Sequence, residues 1–427
     1  MKPALLAACA ALLASPAAGA APPAFPGAEG FGAVALGGRG GVVHHVTTLA
    51  DGGPGSLRAC VESSGPRVCV FGVGGTIVLE DELAVEEPWL TIAGQTAPGG
   101  GIQLRLSGQS KHSLLRISTH DVIVRHLRLR RGASSLEAFP KGVCCGDTLT
   151  LRDARAVILD HLSIAYATDE NVDVSNSSDV TIQNSIIAYG LRFSSSADTV
   201  RDPKQHHSMG ILVGAGSDGV SLLGNLLAFN LNRNPRLASG LTDFRGNLVF
   251  GASANPLTAD GDARANVVAN SFDPRPLGNY RFVIKADDRA EIHEAGNEAP
   301  VAMLAEGSRA AGEPFPLPYE SVLTAAQARS RVLESAGAWP RDSLDATIVQ
   351  HARSGSGALV DDPREAGGWP VLESGEPWPD HDRDGMDDRW ERTNGLSPDD
   401  PLDGGRAQGT DGYTNLERFL NAMAQPQ

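Results

Sequence analysis

The run Val157-Ile-Leu-Asp-His161-Leu is answered by Val180-Thr-Ile-Gln-Asn184-Ser-Ile, with Asn184 repeating the place of His161. Val122-Ile-Val-Arg-His126-Leu precedes them. Val220-Ser-Leu-Leu-Gly-Asn225-Leu-Leu, Phe244-Arg-Gly-Asn247-Leu-Val and Arg264-Ala-Asn266-Val-Val follow. Each is a β-branched alternating step, a polar residue and a second aliphatic step. His161 to Asn184 and Asn225 to Asn247 are bare intervals; others are nearly twice as long, as if loops were inserted into one rung. Short strands recurring at roughly 20 residues describe coils of a parallel β-helix. One coil cannot bury its aliphatic face, but stacking buries Val, Ile and Leu in continuous rows. Asn184, Asn225, Asn247 and Asn266 are expected to bond their stacked equivalents at a turn, with right-handed crossovers. The competing antiparallel sandwich would need Asn-Gly hairpin turns, which are rare here.

Outward from the repeat, the organisation is uneven. A helix-like stretch near 323–335 is expected on the solenoid's flank or end. A Pro/Gly-rich join spans Gly367 to Pro379. In the stretch 373–427 Asp and Glu outnumber Arg more than twofold, and it reads as a separate acidic module. The N-terminus has Lys2, an apolar run from Ala4 to Leu13 and Ala18-Gly19-Ala20, the pattern of a secretory signal over residues 1–20. The β-helix domain is then 21–372, exported after cleavage near Ala20. Cys60 and Cys69 can close a short loop. Cys144 and Cys145 are adjacent and either bond each other or pair elsewhere.

The whole chain has 427 residues, a net charge of −15, 41% hydrophobic and 5% aromatic residues. That acidity argues against nucleic acid as a partner. No apolar run beyond the N-terminus approaches the roughly 20 residues of a membrane helix.

Three constellations carry chemistry. In the tail, Asp380, Asp382, Asp384, Asp388 and Glu391 occupy positions 1, 3, 5, 9 and 12 of a calcium loop, with Gly385 at the sharp turn. Asp411 to Glu417 resembles a decayed second loop. Inside the repeat, Asp147, Asp160-His161, Asp169 and Asp173 bring acids towards one face of the solenoid, although a lone Asp is ordinarily a turn or cap residue and His161 a turn hydrogen-bonder. After the Asn225 rung, Asn232-Arg233-Asn234-Pro235-Arg236 sets two guanidiniums around a stiff proline, a pattern suited to gripping carboxylates or simply to solubility.

These residues resemble a known family. Gly27-Ala-Glu-Gly-Phe-Gly32, Gly37-Gly-Arg-Gly-Gly41, Gly53-Pro-Gly-Ser-Leu-Arg58 and Thr91-Ile-Ala-Gly-Gln-Thr-Ala-Pro-Gly99 look like the N-terminal half of secreted bacterial pectate lyases, polysaccharide lyase family 1. Asp160-His161, Gly146-Asp147, Asp169-Glu-Asn-Val-Asp173 and Arg233-Asn-Pro235-Arg236 match its motifs over roughly residues 25–370. The resemblance implies a right-handed parallel β-helix, acting as a monomer, that cleaves polygalacturonate by β-elimination with Ca²⁺ as cofactor. It makes Arg233 the base at C5, Arg236 a carboxylate contact, and Asp147, Asp169 and Asp173 the calcium ligands. Two positions depart from the pattern: the family's substrate-binding Lys falls at Met209, and a further Arg at Ala238. Lys204 is the expected compensating substrate contact, with His206 and His207 as neighbours. A polygalacturonase-type hydrolase would need paired carboxylates for acid and base work. A non-catalytic carbohydrate-binding β-helix is the remaining alternative.

Overall fold

The structure is a computed structural model that describes residues 21–107, 112–132, 145–192, 207–252, 255–278, 280–319 and 323–424. The signal segment 1–20 and Cys144 lie outside them.

Each complete coil contributes one strand to each of three sheets. In one coil these are Leu149–Arg152, Arg155–Asp160 and Ser163–Ala165; in the next they are Glu170–Ser175, Ser178–Gln183 and Ile186–Ala188. The first sheet has eleven strands, from Val42–Val46 to Arg309–Ala310. The second runs over eight strands from Leu83–Val85 to Ile284–Ala286, the third over eight from Gly75–Leu79 to Ser271–Asp273. Neighbours pair in parallel, for example Val157 with Val180 and Val180 with Val220. The chain is a parallel β-helix. Val157, Val180, Val220, Leu159, Ile182 and Leu222 stack in fully buried rows.

The corner from the first sheet to the third takes two residues on every coil from Asp160 onward. Its first residue is left-handed: His161, Asn184, Gly224, Gly246 and Ala269 have φ between 50° and 65°. Asn and Gly tolerate that conformation. The second residue points inward and carries the ladder. Asn225 Oδ1 accepts from Ser185 N at 2.9 Å, Asn247 Oδ1 from Asn225 N at 2.9 Å, Asn270 Oδ1 from Asn247 N at 2.8 Å and Asn297 Oδ1 from Asn270 N at 3.0 Å. Each Nδ2 donates back to a carbonyl one coil earlier, Asn247 to Leu222 at 2.8 Å. The ladder expected from sequence is therefore corrected. Asn184 sits one position early, in the left-handed slot, and Asn266 lies within a first-sheet strand, bonded to Phe315. Ser185, Asn270 and Asn297 take the ladder positions.

The long intervals are insertions at one junction. The added chain lies between third-sheet and second-sheet strands, from Arg130 to Leu149 and again from Ala188 to Met209.

Two outer faces of the solenoid are covered. Helices Ala325–Ser335 and Ser343–Ser354 pack Val332, Leu333, Leu344 and Ile348 on the third sheet, against Ile186, Leu226 and Phe250. The first helix occupies the stretch expected near 323–335; Thr324 and Gln327 form its capping box. Fully buried Arg130 reaches Asp342, the N-cap of the second, and Asp345 in its first turn. The tail lies on the first sheet. Met386, Leu416, Phe419 and Leu420 bury Val68, Val70 and Ala93. Cys60 and Cys69 form a disulfide. Among the described residues no helix is long and apolar enough to cross a membrane.

The one-residue offset in the ladder is testable. Asn247→Ala strands the Asn225 amide and the Leu222 carbonyl and should cost about 2–3 kcal/mol in guanidinium unfolding. Asn184→Gly keeps the left-handed slot and loses only the side-chain bond to Asp160, so it should cost less than Asn247→Ala, about 1–2 kcal/mol.

Candidate functional site

With two sheets covered, Asp147, Asp169, Asp173, Arg233 and Arg236 gather along the second. Register places Thr150, Asp173, Leu212 and Arg236 in one row across four coils, and Glu170, Met209 and Asn232 in another. Asp147, just before the strand Leu149–Arg152, accepts from Thr150 Oγ1 at 2.8 Å and from Glu170 N at 3.1 Å. Gly146 precedes it because a side chain there would strike the buried Arg131 guanidinium, 2.3 Å from where a Cβ would sit.

Carboxylate oxygens of Asp147, Asp169 and Glu170 lie within 4.8 Å of one another. Burial, with Asp173 and Asp169 as charged neighbours, lifts the Asp147 carboxyl to about 7 against the Thr150 bond and Arg131. Arg131 is itself brought down to about 10 by burial, opposed by Asp147 and Asp169. Asp173 stands beside this trio. It accepts from Ser175 Oγ at 2.7 Å and lies 3.7 Å from Arg152, and burial raises its carboxyl. Asp169 contacts His207 Nδ1 at 3.2 Å. Oxygen-only donors this close fit a hard divalent cation. Glu170 is the member the sequence reading missed.

Arg233 faces the same acids. Its guanidinium is ion-paired with Glu170, and its backbone is left-handed, with φ 58°. Buried Asn230 and Asn234 clamp this turn, each amide nitrogen donating to the other residue, at 3.2 and 3.0 Å. Gly210 leaves room for it, since a Cβ there would lie 2.5 Å from the Arg233 carbonyl. Burial, then neighbouring Arg236, lowers the Arg233 guanidinium, while Asp169, Asp147 and Asp260 oppose. Arg236 is held by both oxygens of Asp260, at 2.9 and 3.3 Å, a partner absent from the sequence reading. Lys204 and His206 lie outside the described residues. Asp160 belongs to another place. It is buried in the first sheet, receives Arg125, Gln183 and Asn184, and contacts His161 at 2.9 Å, while His161 stacks on His126. Those partners hold its carboxyl well below the usual range despite burial.

In the tail, Asp380, Asp382 and Asp384 converge, and Asp384 also meets Glu391 and Asp403. Burial, then the surrounding carboxylates, lifts Asp384 to about 7 and Glu391 to about 8. Asp388 is turned away: it accepts from His381 N at 2.9 Å and Arg392 at 3.3 Å. In the decayed second loop Asp411 takes Arg418 and Glu417 takes Arg39, as ordinary surface pairs.

No protein-family model matches the chain. A probable pectate lyase C of Aspergillus terreus is 34% identical over 426 positions, with 94% of each chain covered. That of Aspergillus flavus is 36% identical over 429 positions, also covering 94% of both. The chain belongs to the pectate lyase family. It is an enzyme, a polysaccharide lyase. These relatives are fungal, whereas the motifs pointed to bacterial enzymes. The match also runs beyond residue 370, because with 94% of this chain covered the unmatched part is shorter than the tail. Among solved structures, the cedar pollen allergen jun a 1 is 20% identical with a TM-score of 0.57, over 73% of this chain and 92% of its own. A Bacillus subtilis pectate lyase variant is 13% identical with a TM-score of 0.55, over 74% and 97%. Both share the fold.

A divalent cation that this donor set fits would lose an oxygen with each acid, so Asp147→Asn, Asp169→Asn and Glu170→Gln should each weaken calcium binding there by about tenfold or more in calorimetric titration. Asp173→Asn, which removes a neighbouring charge, should weaken it by only about threefold.

Proposed function

We propose that this lyase cleaves polygalacturonate by β-elimination, with Arg233 as the base and a calcium ion held by Asp147, Asp169 and Glu170, Asp173 adding charge beside them. The observation that carries the reading is the juxtaposition of Arg233 with those acids through Glu170. The chemistry calcium supplies when bound is polarisation of the uronate carboxylate, which acidifies the hydrogen at C5.

The chain's own residues do the rest. A guanidinium ordinarily keeps its proton above pH 12. Burial and the adjacent Arg236 push Arg233 towards the neutral form that a base needs. Its clamped backbone holds the side chain over the acids. The neutral guanidine takes the C5 proton, the electron pair forms the C4–C5 double bond, and the glycosidic oxygen leaves C4 and is protonated from solvent. Arg236 is positioned to trade Asp260 for a substrate carboxylate, and Lys204 is a further substrate contact. We propose also that the enzyme acts as a monomer and is exported after cleavage near Ala20, consistent with the Cys60–Cys69 disulfide.

Polygalacturonate incubated with the protein should gain the ultraviolet absorbance of an unsaturated end, and chelator should abolish it. A hydrolase would give reducing ends alone, and a binding protein neither. Arg233→Lys should lose about a thousandfold or more in kcat with KM changed only a few-fold. Because the base must be neutral, kcat/KM should climb towards alkaline pH, about tenfold per unit below the Arg233 pKa.

A further inference from the structure

The tail presents a second arrangement of carboxylates, and the pattern of their hydrogen bonds is informative. Asp380, Asp382, Asp384 and Asp403 each commit one oxygen to the backbone: to Gly385 N at 3.1 Å, Asp384 N at 3.3 Å, Met386 N at 3.0 Å and Ser397 N at 3.0 Å. The other oxygen of each has no hydrogen-bond partner among the described residues, and neither has either oxygen of Glu391. Glu391 is 0% exposed, Asp403 3% and Asp384 5%. No ion pair among the described residues reaches Asp382, Asp384, Glu391 or Asp403. Asp380 meets only His45 of the first coil, at 3.6 Å and through its committed oxygen. Buried carboxylate oxygens without partners are costly. Six of them, from five side chains, equal the coordination number of a calcium-class cation.

We propose that the tail binds one calcium-class cation through Asp380, Asp382, Asp384, Glu391 and Asp403, with Asp388 outside the ligand set. Asp403 lies well beyond Glu391 in sequence, so the site joins two segments instead of closing within one loop. The Asp403 carbonyl in turn receives Asn415 Nδ2 at 2.8 Å, at the start of the helix that covers Val68 and Val70. The cation therefore fastens the last helix to the first sheet. This inference is independent of the assignment of the base.

The test counts calcium on the full chain after stripping with chelator. In the variant Asp147→Asn/Asp169→Asn, which removes two of the three acids proposed to hold calcium beside Arg233, equilibrium dialysis should still find one tightly bound calcium per chain; none would overturn the proposal. Calcium should also protect residues 397–424 from proteolysis. Glu391→Gln and Asp403→Asn should each raise the half-protecting calcium concentration by about tenfold or more, while Asp388→Asn changes it by less than about twofold. An unchanged Asp403→Asn, or equal losses in Asp388→Asn and Asp403→Asn, would refute the ligand set. If Asp403→Asn does not fold, the calcium count and Glu391→Gln decide.

Discussion

From Asp160 onward every coil turns from the first sheet into the third within two residues, and the register of the site rests on that constraint. The left-handed residue reverses the chain, and the next side chain, Asn on several coils, ties the corner to the one below through the Asn225–Asn247–Asn270–Asn297 ladder. Two bonds per Asn fix register at one edge of the solenoid. A slip of one residue would turn each aliphatic row outward. It would also scatter the second-sheet rows, because Thr150, Asp173, Leu212 and Arg236 align only when the corners do.

On that frame the site resolves a conflict of charge. A strongly acidic chain has to accept a polyanion, and its cleft gathers more acid. Arg131 beside Asp147, Arg233 on Glu170 and Arg236 on Asp260 set positive charge among the acids, each guanidinium opposed by a carboxylate. Glu170 stands between the acid cluster and Arg233, so the two share one carboxylate. Withdrawing that carboxylate from Arg233 would remove the partner that favours its charged form.

The solenoid was legible because periodicity is a property of many residues at once: the rows of Val, Ile and Leu repeat wherever the count is started. The corner was harder. Asn184 and Asn225 both sit at a corner, but one fills the left-handed slot and the other the ladder, and coils of slightly unequal length hide a shift of one. The helix at Ala325–Ser335 had its own pattern, whereas Ser343–Ser354 depends on Asp342 and Asp345 meeting arginines far away in the chain. Among site residues, Asp147, Asp169 and Arg233 were marked by local motifs. Glu170 and Asp260 became significant only through stacking, a relation between coils. In the tail the calcium-loop template ended at Glu391, so Asp403, which joins the carboxylate cluster from farther along the chain, lay outside it.

The insertions after Arg130 and Ala188 both fall where the chain passes from the third sheet to the second. From Asp160 onward the opposite corner, with its two residues and its ladder, keeps one length, whereas nearer the N-terminus it holds the stretch Gly94–Gly101. Over those later coils the solenoid separates the edge that sets its thread from the edge that can grow. New chain can be added on the side of the second sheet that carries Asp147 and Glu170, while the pitch of the screw stays as it was.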